Sequence, residues 1–169
     1  MVFLMKISRI IVLLMILIFT AGMVYAVDLS EFKAPSNFEG DGNGSFYELN
    51  DLGIMDENGI SIEIYTVESM IETAKQAGLD ENNSEDSDFF TNNSALNYTV
   101  ESSDEENIFY YTDGVNEIEG YVELVKVGDE KVYIETTIDK GASEDKLKQS
   151  LDVLKEFNKL NNLDPINPI

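Results

Sequence analysis

Apolar residues recur at every second position through the middle of the chain. Ile60, Ile62 and Ile64 alternate with Ser61, Glu63 and Tyr65, the period of a strand with one buried face. Residues 107–112 are rich in aromatics and lead into Asp113-Gly114, after which 117–127 is again β-rich. An Asp-Gly pair between two such runs predicts a hairpin closed by a type I′ turn, which needs positive φ at both central residues. Gly128-Asp129 then separates 117–127 from 131–138, and glycine at the first central position suits a type II′ turn. In the last run Val132, Ile134 and Ile138 share one face, with Tyr133, Glu135 and Thr137 opposite. The spacing therefore predicts a three-stranded antiparallel meander over 107–138. A further strand is expected at 45–49, bounded by the turn Asp41-Gly42-Asn43-Gly44.

Two other stretches carry helical spacing. Thr66 is placed to cap a helix in which Val67, Met70, Ile71, Ala74 and Ala77 form an apolar stripe; Glu68 lies in its first turn and Gly78 at C′. Over 143–161, Leu147, Leu151, Leu154 and Phe157 repeat at three- and four-residue steps. Ser143 caps this helix, Glu144 and Asp145 open it, and Lys155 and Lys159 lie toward its end, as the helix dipole favours. The expected fold is α+β: a mostly antiparallel sheet with a three-stranded meander, packed by two main helices, after an N-terminal signal segment. Val122 and Leu124 are not expected to be both exposed, and helix 143–161 is expected to cover the sheet through its leucines and Phe157.

The chain opens differently. Lys6 and Arg9 precede the uncharged run 10–21, and Val24-x-Ala26 offers small side chains for cleavage. A basic stretch, an apolar stretch and a small-residue site describe a signal peptide over 1–26. The alternative is an uncleaved anchor over 10–27, just long enough to span a bilayer. Val2, Phe3 and Leu4 are odd before such a segment, whereas a start at Met5 gives an ordinary basic opening. Residues 27–169 are then expected to form a single acidic domain, exported and either secreted or anchored at the cell surface.

The segment Phe32-Lys33-Ala34-Pro35-Ser36-Asn37-Phe38 resembles the aromatic–x–x–Pro–x–x–aromatic opening of PsbP-like domains. The strand at 60–66 running into a helix, the later meander and the closing helix ending Leu154-Lys155-Glu156-Phe157 look like the same plan. That resemblance implies an antiparallel sheet between helices and a binding or accessory role, with no specific ligand.

Composition narrows the chemistry. The 169 residues hold 33 Asp and Glu against 11 Lys and Arg, a net charge of −22. Removing Lys6 and Arg9 leaves nine lysines against the 33 acids, a balance of −24. Such a charge argues against binding nucleic-acid phosphates or anionic lipid. There is no His, Cys or Trp, and Arg9 is the only arginine. Disulfides, Cys/His metal sites, thiol nucleophiles and histidine acid–base chemistry are excluded, so a core must hold the domain together.

Residues 80–94 are expected to form a solvated loop. Its acids Asp80, Glu81, Glu85, Asp86 and Asp88 are a candidate weak calcium site, built of the hard oxygens calcium prefers. Beyond such calcium no cofactor is expected. Asp41-Gly42-Asn43-Gly44-Ser45 opens like an EF-hand loop, but Phe46 replaces the required glycine and Leu52 the required glutamate. Ser143-Glu144-Asp145-Lys146 has serine–lysine spacing, yet the motifs that accompany it in β-lactamases are missing; Ser143 is better read as a helix cap. Asn43, Asn82, Asn92 and Asn97 begin N-x-[ST] sequons. These features together point to a non-catalytic secreted or cell-surface accessory domain that binds an envelope or extracellular partner. Nucleic acid is not expected as a partner, and the membrane only through 10–27 if that run is retained. A secreted hydrolase using carboxylates alone is the alternative.

Overall fold

The computed structural model describes residues 27–66 and 97–168. Their centre is one antiparallel sheet in the order β1-β2-β3-β7-β6-β5-β4. The strands are β1 (Phe38–Gly40), β2 (Ser45–Glu48), β3 (Ser61–Thr66), β4 (Tyr98–Ser102), β5 (Ile108–Asp113), β6 (Ile118–Val127), β7 (Glu130–Asp139) and β8 (Pro165–Ile166). The last pairs with β6 through Leu124↔Ile166 and Val125↔Pro165, beyond the stretch of β6 that β5 covers. The only α-helix among the described residues is α1 (Glu144–Asn161).

The expectation of two main packing helices is thus corrected to a mostly antiparallel β fold carrying a single described helix. Of the described residues, only 144–161 combine a capping serine with a helical apolar stripe; elsewhere the apolar residues fall at period two. Short strands β1, β4 and β8 occupy stretches that carry too few apolar positions to announce themselves. The helix expected after Thr66 lies outside the described residues, as does the signal segment 1–26. Among the described residues no helix is long and apolar enough to cross a membrane.

The meander forms as β5, β6 and β7, consecutive antiparallel neighbours. Its second turn has the two residues Gly128 and Asp129, with Gly128 at φ +62°, the sign that the first position of a type II′ turn needs. The first turn departs from the expected type I′. It spans 114–117, and Glu117 rather than Gly114 takes the positive φ, at +57°. Asp113 Oδ1 accepts from the amides of Val115 (2.8 Å) and Asn116 (3.0 Å), so the aspartate closes a longer loop by itself.

Helix α1 begins where the sequence places it. Ser143 Oγ accepts from Lys146 N at 3.2 Å, and Asn162 ends the helix in the left-handed region. Leu154 and Phe157 are fully buried on the sheet, Val153 nearly so, while Leu147 and Leu151 are half-buried at the margin. Phe157 stacks on Phe32 at 5.9 Å between ring centroids and tilts against Phe46 at 5.5 Å. The two aromatics flanking Pro35 thus serve the core, Phe32 against the helix and Phe38 from β1.

Register divides the sheet into two chemically distinct faces. Toward α1 point Ile62, Ile64, Val125, Val132, Ile134 and Ile138. Val122 and Leu124 are both buried, but on the opposite face, with Tyr111 and Tyr133. One consequence follows from strand alternation. If Val122 and Leu124 face away from α1, Glu123 must face it.

Candidate functional site

Three buried carboxylates among the described residues point from the sheet toward the helix, and each is held. Glu48 Oε2 accepts from Ile60 N (2.9 Å) and from Lys146 Nζ (2.9 Å), tying β2 to α1. Glu119 accepts from Tyr110 Oη at 2.5 Å and from Gly141 N at 2.7 Å. Glu123, with no exposed surface, accepts from Asn158 Nδ2 at 2.9 Å. The Lys146 of the serine–lysine pair therefore serves Glu48, and Ser143 serves the helix end.

Glu123 is the most perturbed of the three. Burial pushes its carboxyl up to about 8, against a smaller opposing effect of the Asn158 bond. Its Oε1 and the Oδ1 of Asn158 are both buried without a partner, as is Thr136 Oγ1 on β7. Protonating Glu123 turns one orphan acceptor into a donor facing the amide that holds the other acceptor. A neutral acid thus fits this site better than a carboxylate.

The opposite face has its own acid cluster. Glu63 and Glu135 are direct cross-strand partners on β3 and β7, and Tyr65 lies two residues along on the same face. Tyr65 Oη bonds to Glu63 Oε2 and lies 3.2 Å from Glu135 Oε1. Two hydrogen bonds through one hydroxyl need two protons, and the phenol supplies one. A proton on one of the two carboxyls would complete both bonds at once. Burial raises the carboxyl of Glu135, and Glu63 beside it raises it further; burial and Asp41 raise Glu63. All three side chains are half-buried. Tyr98 stacks on Tyr111 at 5.7 Å beside them, and Tyr111 Oη lies 2.9 Å from Thr137 Oγ1.

A third feature lies on the surface near the β1–β2 edge of the sheet, where β2 pairs with β3. Between β2 and β3 the chain makes a tight loop closed by Asn50, whose Oδ1 accepts from Leu52 N (2.9 Å) and Ile54 N (3.2 Å). Asn50 N donates to Ile54 O and Gly53 N, at φ +69°, to Asn50 O. The loop carries Leu52, Ile54 and Met55 outward, at 82%, 60% and 53% exposure. Beside it lies a depression of about 190 Å³ lined by Glu39, Gly40, Asp41, Tyr47, Leu49 and Met55.

The site residues read from sequence fall unevenly. Asp80, Glu81, Glu85, Asp86 and Asp88 lie outside the described residues, as do Asn82 and Asn92. Among the described residues no group of three or more acids is arranged to hold a metal. In the EF-hand-like turn, Asp41 Oδ1 instead accepts from Asn43 N and Ser45 N, closing the β1–β2 hairpin. Asn43 is exposed at that turn. Asn97 is exposed at φ +52°, and its amide nitrogen lies against Gly114, where a Cβ would come within 1.7 Å of it.

Glu63, Tyr65, Glu123, Glu135 and Asn158 were not singled out from sequence, although a signal existed. Glu123 interrupts the run Tyr-Val-Glu-Leu-Val, in which both faces are apolar, so the acid could not escape burial. Glu63 and Glu135 share their faces with tyrosines rather than with other charges. No family model matches the chain, and no curated protein or solved structure matches it either; nothing in these comparisons identifies a PsbP-like domain.

Proposed function

We propose that the chain is an exported, non-catalytic accessory domain, secreted or held at the cell surface, that binds an envelope or extracellular partner. Export rests on the segment 1–26 and its basic-apolar-small pattern. The observation that supports a non-catalytic role is the place of Tyr65. Carboxylate-only hydrolysis needs two acids with a reacting atom between them. Glu63 and Glu135 are the pair whose protonation would suit such work, but the phenolic oxygen of Tyr65 fills the gap. The other strongly perturbed acid among the described residues, Glu123, is sealed beneath α1. Surface recognition remains, and the exposed apolar loop beside the 190 Å³ depression offers a place for it.

The test is turnover by the chain against a panel of fluorogenic glycosides, esters and peptides. The expected result is no rate above buffer for the parent. A rate that Glu135→Gln or Glu63→Gln abolishes while the fold is kept would establish the hydrolase instead.

A further inference from the structure

We propose that the β2–β3 loop and its depression dock a cationic amphipathic segment of a partner protein, one apolar side chain entering the depression while flanking Lys or Arg meets the surrounding acids. This rests on the binding reading above and names the partner's chemistry.

The apolar side is concentrated. Of five large hydrophobic residues exposed among the described ones, Leu52, Ile54 and Met55 fall within four consecutive positions. Burying such side chains is favourable, so a loop free to fold them inward would do so. This loop is not free, because Asn50 and the Leu49↔Met55 bridge fix its course. At 190 Å³ the depression is smaller than the ~300–1,000 Å³ of small-molecule pockets and suits a single side chain.

Charge selects the partner. Residues 34–66 contain seven acids and no Lys or Arg. Glu39 and Asp41 line the depression, and Asp51 and Asp56 flank the three apolar residues in sequence. A second copy of the chain, at net −22, is repelled, and so is an anionic membrane. A segment with interleaved basic and apolar side chains is attracted and steered in.

The test uses the whole chain and a labelled ten-residue peptide of alternating Lys and Leu, read by fluorescence anisotropy. Lys/Ser and Glu/Leu peptides serve as controls. The Lys/Leu peptide is expected to bind, more weakly as salt rises, with the Leu52→Ser, Met55→Ser double variant losing at least tenfold in affinity. Val115→Ser, exposed on another loop, should change nothing. Both replaced residues are exposed, so melting should be unaltered; if it is not, Ile54→Ser alone replaces the pair. Equal binding of Lys/Ser, or binding indifferent to the loop variants, would overturn the proposal, leaving charge alone. So would an absence of binding, or a loop-dependent dimer in sedimentation, or loop-dependent capture by phosphatidylcholine/phosphatidylglycerol vesicles. None of these failures produces hydrolysis, so they are distinguishable from failure of the non-catalytic reading.

Discussion

Raising the pH from about 5 to 8 is expected to destabilise the chain, and Glu123→Gln to remove much of that loss. The folded state holds the Glu123 proton up to about 8 because the carboxyl is buried, whereas the unfolded chain gives it up near the ordinary value of 4.5. Between those values the native state binds more protons than the unfolded one, so stability falls as pH rises. The contribution is complete below about 4.5 and is lost through 8. At about 1.4 kcal/mol per pH unit of displacement, it amounts to a few kcal/mol. Glu63 and Glu135 are displaced in the same direction, and so is the general repulsion of a net −22 chain. Comparing variant with parent at each pH isolates Glu123. Gln offers an amide donor to Asn158 Oδ1 without any charge, so Glu123→Gln should melt several degrees above the parent at pH 8 and close to it at pH 4.5. A variant equally destabilised at both pH values would show that Glu123 is held as an anion.

The second large effect is expected at Phe157. Its ring has no exposed surface and is held between Phe32 and Phe46. Phe157→Ala should cost about 3–5 kcal/mol from lost burial and the cavity left behind. Urea unfolding at fixed pH measures it, and a loss below about 1 kcal/mol would mean that α1 is not seated on the sheet as described. Leu151 belongs to the same stripe but is half-buried at the margin. A charge there can reach water, so the most sensitive positions of this stripe are Leu154 and Phe157.

The parts of this fold legible in the sequence are those where one face is apolar and the other polar. Ile62 and Ile64 on β3, and Val132, Ile134 and Ile138 on β7, alternate with polar or aromatic neighbours and occupy the predicted face. The capped stripe of α1 was legible for the same reason. Strand β6 misleads, because it is buried on both sides: Val122 and Leu124 point away from α1, and Glu123 and Val125 toward it. Periodicity registers Glu123 as polar and therefore outward. The apolar run around it signals burial, and the register against Ile134 fixes the face as the one toward α1. The acid–tyrosine cluster was illegible because Glu63 and Glu135 are far apart in sequence and become neighbours only when β3 pairs with β7. The exposed loop could be read in part from Asn50-Asp51-Leu52-Gly53, a turn sequence, but not the depression, which β1 and β2 help to build.

The central claim is that recognition happens at the β2–β3 loop, while the perturbed acids belong to the fold. Amide chemical shifts of the 15N-labelled chain, followed as the Lys/Leu peptide is added, test it most directly. Shifts should be largest in 39–41 and 47–56, with Glu63 moved less through its neighbour Asp41 and Tyr65 and Glu135 least. Shifts centred on Glu63, Tyr65 and Glu135, with the loop silent, would contradict it and make the acid pair the site.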